Sequence, residues 1–366
     1  MANTLGTIEL DLSQFTFTAE QIRDINELVY EGIMRLPEIS AIHQMWGGII
    51  YDKEVGFIME GGLVGKAGQG CNPEPQDWSI PTRKVVWEPK EWEIFLKECA
   101  EDLKNTAAIY SMRTGTEIDN LTDTDFMNIV VEVLIGAVYK MLYRIIWLND
   151  VNVEEASDGG TYTDGLDLDY FNILDGLFNQ LRVLVTADSK RGVSIAANAQ
   201  ATYAAQMAGM TPQAAYDLLS AMWYQAPIKL RAMKADINPD NRPKFLVTQS
   251  IADAYEQYLI GKNLPQTFIN LTEGVQVLSF LGVPVVPMPI WDEMIQAYQD
   301  LGSSWYNPHR ALLTTKSVLA VGSPTRGKLF GEFDIWYDKT KRGNFILLKD
   351  KIDAKIANPD HFIYAE

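Results

Sequence analysis

Apolar residues recur along this chain with two different periods, and the switches between them mark its organisation. Ile22, Ile25, Leu28 and Val29 follow Thr18 at helical spacing, which predicts an amphipathic helix over Ala19–Met34, ended before Pro37. The pattern then turns β-like at Ile49–Tyr51 and Val55–Ile58. A stretch with five glycines in ten residues follows, Gly61 to Gly70, and then Pro73, Pro75 and Pro81. Lys84–Trp87 and Trp92–Leu96 read as strands again. Strand, long tip and returning strand predict a protruding hairpin, and loops of that length are usually functional. The strongest helical signal lies at 121–149. Thr122 is a suitable N-cap, Asp123 and Asp125 suit the first turn, and apolar positions run from Phe126 to Ile146. Its polar stripe is narrow (Asn128, Glu132, Lys140, Tyr143), so the helix needs cover on most sides.

Further helices are predicted at Asp169–Val185, at the Ala-rich Ser194–Met207, and after Thr211-Pro212, where Thr caps and Pro takes the first helical position. Residues 244–321 alternate. Lys244–Thr248 reads as a buried strand, and Ile251–Ile260 as a short helix capped by Ser250 and closed by Gly261. Val275–Phe280 is a strand. Val283–Val286, punctuated by Pro284 and Pro287, suits a sheet edge. Trp291–Leu301 is a helix, and Ala311–Leu313 and Ser317–Val321 are strands. Residues 328–366 are β-rich, with a turn at Lys341–Asn344. Repeats and low-complexity tracts are absent from the sequence, and the class is mixed α+β.

Composition narrows the functions. The 366 residues carry 48 acidic and 31 basic side chains, a net charge of −17. No uninterrupted basic run offsets that field. Lys339–Arg342 and Lys349–Lys355 read as solvated turns, so nucleic-acid binding is excluded as a primary role. Two cysteines, Cys71 and Cys99, make no disulfide framework, and a reducing compartment is expected; whether they pair is open. The first residues lack the basic and apolar regions of a signal peptide. The most apolar long segment, Phe126–Leu148, contains Glu132, Lys140 and Arg144 and does not read as a membrane span.

The candidate chemistry is thin. Gly65-Lys66 suggests a phosphate loop, but Glu60 replaces its first glycine and Ala67 its magnesium-binding hydroxyl. Asp158, Asp164, Asp167 and Asp169 suggest calcium, but Gly165 falls in the wrong register. His43, His309 and His361 lack metal-ligand spacing. Cys71 has no assignable base. No catalytic residue, cofactor or metal is therefore expected; an acidic hydrolase with a carboxylate pair is the rival from another class. Trp46, Trp78, Trp87 and Trp92 cluster in and around the hairpin, as at contact surfaces.

The order of elements resembles the major capsid proteins of tailed bacteriophages, with the Hong Kong 97-type fold. The local match is Lys244–Thr248 with its helix, then Val277-Leu278 through Leu281-Gly282-Val283-Pro284-Val285-Val286, and Leu312-Leu313 through Ala320-Val321. The resemblance implies an N-terminal arm and helix at 1–46 and an extended E-loop hairpin at 47–98. It implies a peripheral domain at 99–150 with the spine helix, a mainly axial domain at 151–325, and a β-rich tail at 326–366 returning to the peripheral domain. It implies inter-subunit contacts by Phe57, Ile58, Gly61, Gly62, Leu63, Val64, Lys66, Trp78 and Trp87. Lys66 has no identifiable crosslinking partner. The implied function is a shell of hexamers and pentamers enclosing double-stranded DNA in a virion made in a bacterial cytoplasm. Portal, separate scaffolding and cementing proteins are the implied partners. An encapsulin-like nanocompartment is the alternative within the fold.

Overall fold

The computed structural model describes residues 39–58, 82–99, 125–262, 268–270, 276–325, 330–331, 334–341 and 343–366. The helix expected at Ala19–Met34 lies outside them. A short helix, α1 (Ile39–Ile42), leads into β1 (Gln44–Gly47). β2 (Lys53–Ile58), β3 (Thr82–Trp87) and β4 (Lys90–Cys99) precede the long helix α2 (Asp125–Trp147). Next come α3 (Leu177–Ala187), β5 (Gly192–Val193), α4 (Tyr203–Gly209), α5 (Pro212–Gln225) and α6 (Ile228–Ala232). Then follow β6 (Lys244–Val247), α7 (Gln249–Gly261), β7 (Phe268–Asn270), β8 (Gln276–Phe280), β9 (Val283–Pro287) and α8 (Pro289–Tyr298). The chain closes with β10 (Ala311–Thr314), β11 (Leu319–Ser323), β12 (Asp334–Asp338), β13 (Gly343–Ile356) and β14 (Phe362–Ala365).

The strands form two sheets and a ribbon. The five-stranded sheet runs β1-β11-β13-β12, with β4 also paired to β13; the seven-stranded sheet runs β5-β14-β10-β6-β9-β8-β7; β2 and β3 pair alone. The central strands β14, β10 and β6 of the seven-stranded sheet are buried on both faces, and their side chains alternate between two cores. Leu246, Leu312, Phe362 and Tyr364 face a core built on α2, α3 and α8. Phe245, Val247, Leu313 and Ile363 face a second core built on α5 and α7. The first core also holds Trp92, Leu348 and Ile352 of the five-stranded sheet. The C-terminal half of α2 therefore runs between the two sheets. Leu142, Tyr143, Ile145, Ile146 and Trp147 are all fully buried there. The Trp147 ring packs at a tilt against Trp291 and Phe178, with centroids 4.7 Å and 5.1 Å away.

Several local expectations change. Tyr143 belongs to the buried face of α2, not to a polar stripe. The helix expected at Asp169–Val185 begins only at Leu177. Before it, the Asp167 side chain accepts from the Asp169 N–H and closes a single tight turn. Gly176 then passes so close to the end of α2 that a Cβ there would lie 2.7 Å from the Trp147 carbonyl oxygen. The Ala-rich segment breaks at Gln200, because Thr202 caps a new helix through the Ala205 N–H. Thr211 caps α5 through the Ala214 N–H, as its sequence predicts.

The proline-punctuated β9 is interior rather than an edge. It pairs with β8 through Val283 and Pro284 and with β6 through Val285 to Pro287. Because it changes partner part-way, neither side asks for a full ladder, and the missing proline donors are tolerated. Lys349–Lys355 is no turn. It lies in the 14-residue β13, where Ile352, Ala354 and Ile356 are buried at alternate positions. The tail also serves both sheets: β12 and β13 join the five-stranded one, β14 the seven-stranded one.

Candidate functional site at the root of the ribbon

β2 and β3 pair antiparallel from Lys53↔Trp87 to Ile58↔Thr82. Along β3, Val85 and Trp87 are buried while Lys84 and Val86 are exposed, the alternation of a ribbon covered on one side at its base. Two strands alone are marginal in water. Hence the root matters. Trp87 packs with Ile49, Val85, Ala320 and Ala357, and the Trp46 ring lies 6.2 Å from it. Gly322 makes the space: a Cβ there would come within 2.8 Å of the Trp87 ring. Asp353, buried on β13, accepts from the Glu88 N–H at 2.7 Å and ties the end of the ribbon to the sheet. Burial pushes that carboxyl up; Lys355 and the two backbone donors Glu88 and Ala354 pull it down. Further out, Lys84 and Glu54 form a cross-strand ion pair at 2.8 Å that is exposed on both sides.

Of the expected contact residues, Phe57 and Ile58 sit on β2 opposite Arg83 and Thr82. Gly61, Gly62, Leu63, Val64, Lys66 and Trp78 lie outside the described residues, as does Cys71. Trp87, with 1% of its surface exposed, is packed into the root within its own chain. The hairpin is also shorter than expected. Ile49–Tyr51 forms no strand, and β4 leaves the ribbon to pair with β13 from Lys90↔Ile352 to Cys99↔Gly343. The root residues Gly322, Asp353 and Ala357 escaped the sequence reading; a glycine inside the apolar run 318–322 was the available signal.

Exposed apolar side chains form a second feature. Ile237 is 93% exposed, with Ile228 at 76% and Tyr224 at 67% on the same helix-and-turn stretch. Leu281 is half exposed and holds a φ of +49°, in a turn whose carbonyl accepts from the Lys234 ammonium. Sequence could have flagged Ile237, an isoleucine between the turn formers Asp236 and Asn238-Pro239.

Titratable groups are explained by packing. His43 is buried against Tyr143 and Trp147, and desolvation takes its pKa down to about 4. Asp292 accepts from the Gln249 N–H at 2.8 Å and so caps α7 from α8. Burial pushes it up to about 6. This replaces the expected Ser250 cap. Among the described residues there is no group of three or more His, Cys, Asp or Glu placed to hold a metal. No helix among them is long and apolar enough to cross a membrane.

No family model and no curated protein matches the sequence. Solved structures do resemble the fold. Phage capsids and an encapsulin are among these neighbours. The capsid structure of the cyanophage P-SCSP1u is similar over 99% of this chain and 98% of that one, at 11% identity and a TM-score of 0.49. A chain of the satellite phage P4 procapsid, solved with its size determination protein, has the same identity and score over 90% of this chain and 86% of its own. The holo-SrpI encapsulin of Synechococcus elongatus is similar over 90% of each chain, at 10% identity and a TM-score of 0.47.

Proposed function

We propose that this chain is the major capsid protein of a tailed phage, a subunit that assembles into hexamers and pentamers around double-stranded DNA. The observation that carries the proposal is the ribbon β2–β3. One chain spends a buried tryptophan and a buried aspartate on holding its root, while Lys53, Glu54, Gly56, Lys84 and Val86 of the ribbon stand exposed. Such an arm is costly to an isolated subunit and useful to one that reaches over a neighbour. The glycine-rich tip joining its strands suits varied contact geometries in a closed shell. In this reading β2, β3 and the tip are the E-loop, α2 is the spine helix, and the seven-stranded sheet belongs to the axial domain. Portal, scaffolding and cementing proteins are its partners, and the virion is its destination. The net charge of −17 then keeps the inner wall from gripping the genome.

The test is negative-stain microscopy of the expressed protein and of a variant lacking residues 58–72. The parent is expected to form closed shells. The deletion is expected to stay folded by circular dichroism and to form none. Normal shells from the deletion would sink the E-loop assignment. A stable monomer with hydrolytic turnover would sink the capsid reading itself. Cargo enzyme copurifying with the shells in place of DNA would move it to an encapsulin.

A further inference from the structure

A serine and a histidine meet at the start of α7, away from the ribbon. Ser250 Oγ lies 2.7 Å from His309 Nδ1. The other ring nitrogen, Nε2, lies 2.8 Å from the Gln206 carbonyl oxygen. A carbonyl only accepts, so Nε2 carries the proton, and Nδ1 is left as an acceptor for the Ser250 hydroxyl. The backbone on either side of the ring is clamped. The Asn198 amide donates to the His309 carbonyl at 2.8 Å, and its oxygen accepts from the His309 N–H at 3.0 Å. His309 is fully buried, whereas Ser250 is only partly so. Burial also keeps the imidazole pKa below its ordinary value, so the ring stays an unprotonated base. Neither residue belongs to the ribbon or its root. A hydroxyl aimed at a base whose tautomer is fixed by a third group is the arrangement that activates serine nucleophiles.

We propose that Ser250 is a covalent modification site for acyl and phosphonyl electrophiles, with His309 as its base. With an ester, Oγ bonds to the carbonyl carbon and the hydroxyl proton passes to Nδ1. The leaving alkoxide then departs with its bonding pair and takes that proton, giving acyl-serine and an alcohol. With a fluorophosphonate, Oγ bonds to phosphorus, the hydroxyl proton passes to Nδ1, fluoride leaves with the P–F bonding pair, and the buried imidazole then releases its proton to solvent. The Nε2–H bond to Gln206 persists throughout. One modification per chain is proposed, not turnover.

The experiment exposes the full chain to a fluorophosphonate and maps the product by mass spectrometry. One label at Ser250 is expected, formed at least about tenfold faster in the native chain than in urea. It is absent from S250A. A folded H309Q variant is expected to lose the label, and unchanged labelling there overturns the proposal. So does native labelling no faster than in urea, or a label elsewhere. Where H309Q does not fold, S250C decides: its thiol at 250 alkylates with iodoacetamide faster in the native chain than in urea. Equal rates overturn the proposal.

Discussion

Two antiparallel ladders in this molecule have opposite lives. β4 and β13 pair over Lys90↔Ile352 to Cys99↔Gly343. Their inward side chains Trp92, Leu348 and Ile352 join the large core with α2. β2 and β3 pair in the same antiparallel way but, among the described residues, meet the rest of the chain at their root, through Trp87, Val85 and Val55 and the Glu88–Asp353 hydrogen bond. The ladders share chemistry; burial separates them. Backbone hydrogen bonds trade one partner for another and give a modest net gain, whereas coverage by apolar neighbours sets how firmly a ladder holds.

Tryptophan truncation breaks the comparison most strongly. Trp92→Ala removes a core ring and is expected to cost about 3–5 kcal/mol of global stability in urea unfolding. Trp87→Ala deletes as large a side chain but only at the root. Hydrogen exchange should then show β2 and β3 losing protection while β4 and β13 keep theirs. Equal loss in both ladders would mean that the ribbon is part of the main cooperative unit. Gly322→Ala presses a methyl against the Trp87 ring. It should cost about 1–3 kcal/mol, again felt at the root. Its measure is the same exchange experiment.

Acidity probes the covered side of the comparison. His43 falls from an ordinary 6.5 to about 4, so its contribution is present above about 6.5 and is lost as the pH drops through 4. Asp292 rises from 3.8 to about 6, so its contribution is present below about 3.8 and is lost as the pH climbs through 6. The two slopes oppose each other. D292N removes one of them, and its unfolding free energy in urea should fall with acid more steeply than the parent's, by about 1–2 kcal/mol between pH 6.5 and 4. Parallel curves for the two proteins would refute this opposition. The smallest effect belongs to the ribbon's ion pair. Lys84→Ala should shift stability by less than about 0.5 kcal/mol, because both partners stay in water.

What could be read from the chain beforehand divides along the same line. α5, β6 and β10 were legible because capping residues and apolar runs are local signals. The central position of β9 was not. Its two prolines argue for an edge, and only the tertiary partners β6 and β8 show how they are accommodated. The Asp292 cap escaped for a related reason: the side chain that satisfies the Gln249 N–H lies 43 positions away. The ribbon's existence was visible in its glycines and alternating strands. Its root was not, since Gly322, Asp353 and Ala357 acquire meaning only where distant segments meet.

β13 has a mechanical consequence. Over its first part it pairs with β4 and β12, and over its last part with β11. Asp353 near its far end grips the ribbon, and a few residues on the same backbone becomes β14 of the other sheet. A tug on the ribbon that passes through the Glu88–Asp353 hydrogen bond therefore meets a backbone anchored in both sheets.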